Sequence, residues 1–271
     1  MRRLTVYLLL AAMVIVSLGP VAWMVSTAFK PKSETFALPT YWLPKSPTLD
    51  NFVEAWRTQP IGRQFFNSLI VASSTTGLAT ALAILAGYGV SRFSFGQRDL
   101  FLRLILVGQM FPGVLLVLPY FILMRRLGLI NTYWALVLAY TSFALPLATW
   151  MMRGYMMAVP RELDDAAMVD GCTRLQSLVR VVLPVAKPGI VATMIYTFMV
   201  AWSEYLFALV LTTTKHMQLL TVGVGSLLLQ YGIEWNQLMA IGSIAVVPIL
   251  AIFAFMERYL VAGLTAGAVK G

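Results

Sequence analysis

The chain is 271 residues long, 59% hydrophobic and only 11% charged, with a mean hydropathy of +0.80. Soluble domains carry roughly 25% charged residues and under half apolar ones, so a soluble fold is excluded and lipid is the solvent for most of this sequence. The net charge of +9 arises from twenty cations scattered without a basic block, which argues against nucleic acid and fits loops that favour Lys and Arg.

Hydrophobic runs predict an all-α, polytopic membrane protein with about six spans, near residues 4–29, 66–90, 100–124, 132–152, 190–211 and 238–260. The first follows Arg2 and Arg3 and contains Gly19-Pro20. It exceeds the apolar core of a secretory signal, about 7–15 residues, so an uncleaved spanning helix is expected. Residues 30–63 form a polar connection broken by Pro31, Pro39, Pro44, Pro47 and Pro60, with Trp42 and Trp56 suited to a membrane–water interface. The second span is dotted with Ser, Thr, Gly and Ala, which permit close helix packing in lipid. A short loop with Arg92 and Arg98 follows. Pro112 and Pro119 are expected to kink the third span. Arg125 to Asn131 forms a tight turn, and the fourth span contains Pro146.

Six spans starting inside place the N-terminus, the 91–98 loop, residues 153–189 and the C-terminal tail on the cytoplasmic side. Those segments and the adjoining ends of their spans hold twelve cations (Arg2, Arg3, Arg92, Arg98, Arg103, Arg153, Arg161, Arg174, Arg180, Lys187, Arg258 and Lys270) against eight on the other side, which favours the assignment. Arg125-Arg126 is the awkward pair, best accommodated by contact with protein.

Residues 153–189 are a polar island, with five cations and four acids between Arg153 and Lys187. Two short helices with a bend are expected there. Pro160 can occupy a first helical position, and Glu162, Asp164 and Asp165 suit the positive end of a helix dipole. Gly171 is expected to stop that helix, and Thr173 with Gln176 has the spacing of a capping box. Leu175, Leu178, Val179 and Val182 form an apolar stripe, which Pro184 is expected to end. Ala166 and Ala167 are small enough to let another protein surface come close.

Asp165-Ala166-Ala167, three residues to Gly171, and nine more to Val181-Val182-Leu183-Pro184 resemble the EAA motif of permease subunits in binding-protein-dependent ABC importers. Asp165 stands where that family usually has Glu, and Val181 where it usually has Ile. Asp50-Asn51-Phe52, Asp170, Lys187-Pro188-Gly189 and the tail Gly263–Gly271 resemble the carbohydrate branch, in particular the smaller maltose-importer permease and its trehalose and oligosaccharide relatives. The resemblance covers nearly the whole chain.

It implies a bacterial or archaeal plasma (inner) membrane protein with both termini cytoplasmic. It also implies pairing with a second, homologous permease, two ATPase subunits that bind ATP and Mg, and an extracytoplasmic solute-binding protein. The 161–171 helix would sit in a cleft of the ATPase. Glu162, Asp164, Asp165, Asp170 and Arg174 would offer polar contacts there, alongside Ala166, Ala167 and Gly171. Leu175–Leu183, ending at Pro184, would pack back on the permease. The apolar 212–237 connection, with Met217, Leu219, Leu220, Tyr231, Glu234 and Trp235, would reach the binding protein, and Gly267–Gly271 would point toward the ATPase.

No catalytic constellation is present, so the chain is expected not to be an enzyme and to hold no metal or cofactor. His216 is the single histidine, Cys172 the single cysteine, and there is no G-x-x-x-x-G-K-[ST] phosphate loop. If ATP drives this protein, another chain binds it. Glu204 is the outstanding charge in a hydrophobic run, and such groups face a water-filled path or a polar partner. With Trp202, Ser203 and Tyr205 it is a candidate for the substrate pathway; a structural hydrogen bond is the competing role. In the maltose importer the sugar is held mainly by the other permease subunit, which lowers the expectation of sugar contact here. The expected function is passage of a di- or oligosaccharide by alternating access. A polyol or glycerol-phosphate importer of the same build is the nearest alternative. A non-transporting sensor or scaffold is an alternative of a different class.

Overall fold

The structure, a computed structural model, describes the backbone of residues 2–94, 96–228 and 234–268, and the side chains of residues 4–94, 96–98, 100–228 and 234–255. Tyr231, the end of the tail at 269–271, and the side chains of Arg2, Arg3, Arg258 and residues 263–268 lie outside it. Among the described residues every regular element is a helix, so the chain is all-α as expected.

The first half contains α1 (Arg2–Ala28), α2 (Lys32–Thr35), α3 (Asp50–Thr58), α4 (Ile61–Arg92), α5 (Arg98–Gly108), α6 (Gly113–Arg126) and α7 (Tyr133–Ala158). The polar island follows as α8 (Arg161–Val169), α9 (Arg174–Ser177), a π-turn (Leu178–Val182) and α10 (Leu183–Val185). The chain ends with α11 (Lys187–Ser203), α12 (Leu206–Leu211), α13 (Leu220–Leu228) and α14 (Trp235–Ala268). Helices α1, α4, α7 and α14 are each long and apolar enough to cross a membrane. Two further runs qualify only as bent pairs: Leu100–Gly108 with Gly113–Arg126, turning 91°, and Arg174–Val185 with Lys187–Ser203, turning 83°.

The chain divides into two compact units. One comprises residues 1–65 and 219–250, the other residues 66–218 and 251–271. In the first, the polar connection after α1 is tied down by amides. Asn51 Nδ2 donates to the carbonyl oxygens of Ala28 at 2.7 Å and Lys30 at 2.8 Å, and Asn236 Nδ2 donates to Lys30 O at 2.6 Å. Lys30 is buried, its ammonium donating to Tyr41 O at 2.6 Å and lying 3.8 Å from the centre of the Trp23 ring. Burial lowers its pKa, and Glu34 opposes that shift. This ordered backbone explains the Asn in Asp50-Asn51-Phe52: without it the Ala28 carbonyl would lose its donor and Lys30 O one of its two.

In the second unit, α4, α7 and α11 pack through small residues and close around an apolar cluster. Its members include Ala83, Tyr88, Ala148, Met152, Met156, Val159, Leu178, Val182 and Ala186. A Cβ at Gly87 would lie 2.8 Å from Met152 Cβ and 2.9 Å from Arg153 N, so the α4–α7 approach depends on that glycine. Gly189 similarly leaves room for the Tyr155 ring. Lipid supplies no hydrophobic drive between helices, so close van der Waals packing must hold them.

Gly87→Ala is expected to destabilise by about 1–3 kcal/mol through overpacking. Gly89→Ala, with nothing within 4 Å of the added methyl, should be neutral or stabilising by up to about 1 kcal/mol. Thermal unfolding in detergent decides; equal shifts for the two would mean that close approach does not fix α4 against α7.

Candidate functional site: the polar loop and the broken helices

Helix α8 begins after Pro160, which stands at the N-cap, one position before the one expected. Glu162 and Asp164 occupy its first turn. It ends in a Schellman motif: Gly171 adopts φ +85°, its N–H donates to Met168 O at 3.1 Å, and Cys172 N–H donates to Ala167 O at 2.9 Å. Thr173 then opens α9 with a complete capping box, Thr173 Oγ1 accepting from Gln176 N and Gln176 Oε1 accepting from Thr173 N.

Two expectations for the second helix are corrected. The apolar stripe is not buried as a unit: Leu178 and Val182 are buried, whereas Leu175 is 62% and Val179 54% exposed. The core at Met152, Met156 and Val159 covers only one edge of the stripe. Nor does Pro184 end the helix. The chain widens into the π-turn and continues to Val185, with Pro184 in the first turn of α10 directly after the widened turn. Leu183 is half-buried against the core and Pro184 is exposed. The bend comes at Ala186, before α11.

The motif residues separate into two faces. Glu162, Asp165, Ala166, Val169, Asp170 and Gly171 are exposed. Leu175 and Val179 are exposed as well, so acidic and apolar side chains are both left uncovered here among the described residues. Ala167 is buried, and so is Asp164. The Asp164 carboxylate turns inward, where Oδ1 accepts from Tyr88 Oη at 2.8 Å and Ser177 Oγ at 3.0 Å. Its Oδ2 lies 2.8 Å from Arg92 Nε, an ion pair whose N–H is not aimed at the oxygen. Arg174 lies with its guanidinium carbon 5.1 Å from the centre of the Phe93 ring. The acids therefore differ in placement, which their order along the chain did not reveal.

The four residues 202–205 do not converge on one cavity. Trp202 is buried and stacked on Phe198 at 5.5 Å, Ser203 Oγ donates to Met199 O at 2.7 Å, and Tyr205 is partly exposed. α11 stops at Ser203, and the Glu204 carboxylate accepts the N–H groups of Phe207 at 3.0 and 3.1 Å and of Ala208 at 3.2 Å. It caps α12 and lies close to the buried Tyr140 hydroxyl.

That cap positions Phe207, whose ring sits 5.4 Å from Tyr120 and 4.8 Å from Phe143. Tyr120 and Phe143 belong to the wall of an open cavity of about 370 Å³. Gln109, Phe111, Gly113, Ser142 and Pro146 also line it, and no lining side chain is charged. It lies where α5 gives way to α6, and Gln109 Nε2 donates to Phe143 O at 2.9 Å. Reading the sequence missed these residues. The signal was present in Gln109 followed by Pro112-Gly113, a polar group and two breakers within an apolar run. Irregular backbone at that depth is tolerated where it is buried in protein or lines a water-filled cavity.

Broken apolar helices around an uncharged cavity, with a folded polar loop clasped to their ends, define the membrane domain of a transport protein. Over residues 79–266 the chain matches the family described as binding-protein-dependent transport system inner membrane component, and it belongs to that family. It is 36% identical to the sulfoquinovosyl glycerol transport system permease protein of Agrobacterium fabrum, over 94% of this chain and 89% of the relative. It is 34% identical to the trehalose/maltose transport system permease protein of Thermococcus litoralis, over 96% and 94% respectively. In fold it matches a chain of a bacterial ABC transporter involved in the import of the acidic polysaccharide alginate. There the TM-score is 0.78 at 19% identity, covering 94% of this chain and 95% of that one.

Glu204→Gln keeps an acceptor for the α12 amides and should unfold near the native temperature. Glu204→Leu orphans two N–H groups and should cost about 2–3 kcal/mol. Native stability in the leucine variant would remove the capping role.

Proposed function

We propose that this chain is one of two homologous permease subunits in an ATP-driven importer of di- or oligosaccharides. Two ATPase chains carry ATP and Mg, and a solute-binding protein delivers the sugar. The observation that carries the coupling part is the uncovered face of α8 and the start of α9. Glu162, Asp165 and Asp170 lie there beside Val169, which is 87% exposed, and Leu175. Three acids disfavour an anionic lipid surface, and a basic or mixed protein cleft suits them. On this reading residues 153–189 face the cytoplasm, and ATPase closure moves the loop so that the cavity opens alternately to each side.

The chemistry of the cavity wall fits a neutral sugar. Tyr120, Phe143 and Phe111 offer ring faces, and Gln109, Ser142 and Tyr120 offer hydrogen-bonding groups. The absence of charge among its lining residues disfavours a phosphorylated substrate. Glu204 serves the pathway by holding Phe207 against its wall, and Trp202, Ser203 and Tyr205 stand at the same helix break.

Two measurements on the co-expressed complex in lipid test this reading. Gly171→Pro cannot adopt φ +85° and should, like Asp165→Lys, leave an assembled complex without sugar-stimulated ATP hydrolysis or uptake. Normal transport by both would reduce the outer face to a solvated surface. Tyr120→Ala and Phe143→Ala should lower uptake at unchanged assembly, each by about five- to tenfold for a lost aromatic contact worth about 1–1.5 kcal/mol. Undiminished uptake in both would place the sugar elsewhere.

A further inference from the structure

The loop is joined covalently to α7 and α11, but it has no covalent tie to α4. Its contact with the end of α4 is a set of buried polar groups added to the apolar cluster. The Arg92 and Asp164 side chains are 5% and 7% exposed. Beyond the ion pair, Arg92 Nη2 donates to Val159 O, the C-cap of α7, at 3.0 Å. Arg161 Nη2 donates in return to Ser91 O in the last turn of α4, also at 3.0 Å. With Tyr88 and Ser177 on Asp164 Oδ1, this cluster holds together α4, the end of α7, α8 and α9.

Stability alone does not call for such a pair. Removing two charges from water costs so much that a well-packed apolar replacement is often neutral or stabilising. Apolar neighbours are at hand in Val159, Leu178 and Val182. Apolar contact is non-directional, so it resists separation better than sliding. The charged cluster fixes both the height and the angle of α8 against α4, because the Tyr88 hydroxyl donates to Asp164 and Arg161 donates to Ser91 O, two directed bonds running in opposite senses between the helices. Being buried, the pair is also unavailable to an outside partner.

We infer that the Arg92–Asp164 pair is the joint through which displacement of the loop acts on the end of α4. Both are positioning residues of transport, set behind the face offered to the ATPase. The inference rests on the coupling role proposed above for that face.

The test uses the full complex in proteoliposomes with its ATPase and binding protein, measuring sugar taken up per ATP hydrolysed. Asp164→Asn keeps an acceptor for Tyr88 and Ser177 but removes the charge. The double variant Arg92→Met/Asp164→Leu removes both charges and keeps the volume. Both should assemble, and sugar moved per ATP should fall about tenfold, the range of an ordinary coupling energy. A merely structural pair would be rescued by the double variant, so native coupling there overturns the joint. Loss of assembly in both variants overturns it too, making the pair a folding element. Asp165→Lys separates the two readings. Normal transport in that variant sinks ATPase docking at this face, whereas native coupling in the double variant beside a disabled Asp165→Lys sinks only the joint.

Discussion

A backbone N–H or C=O in hydrocarbon has no water to turn to, and each one left without a partner costs several kcal/mol. At several places where this chain leaves a helix, a specific side chain answers that demand. Glu204 takes the amides of Phe207 and Ala208 at the break after α11. Asn131, itself at φ 61°, accepts from the N–H groups of Thr213 and Thr214. Asn67 donates to His216 O and Gln218 O, and Asn51 serves the turn after α1. Glu204 thereby also holds Phe207 against Tyr120 and Phe143 of the cavity wall.

The same demand shapes the polar loop. Ser91 lies in the last turn of α4, where carbonyls lack intrahelical partners, and Arg161 supplies one donor. A cation there also complements the negative end of the helix dipole. The Schellman motif at Gly171 and the capping box at Thr173 close the gap between α8 and α9 with their own hydrogen bonds. The loop can thus hold its shape while one face stays uncovered. It has buried polar contacts behind and an acidic, apolar face in front.

The all-α class was legible because hydropathy and helix length are properties of single segments. Family membership was legible because the motif from Asp165 to Pro184 has its own spacing. Local stop signals were read correctly at Gly171 and Thr173, since caps depend on neighbours three or four residues away. Leu175 and Val179 were not readable in this way. Periodicity places them on one stripe with Leu178 and Val182, but only the position of Met152 and Met156 decides which edge is covered. Asp164 and Asp165 differ by one residue and about 100° around the helix, and that rotation separates a buried ion pair from an exposed acid.

The sequence by itself determined the solvent, the helical class, the motif and the local caps, because each follows from composition or from contacts within a few residues. The tertiary structure decided the rest. It brought Tyr88 to Asp164 across 76 positions, set Phe207 against Tyr120 and Phe143, and placed the Glu204 carboxylate on the amides of Phe207 and Ala208. Such long-range pairings depend on how broken helices meet in space, and no periodicity along the chain encodes that meeting.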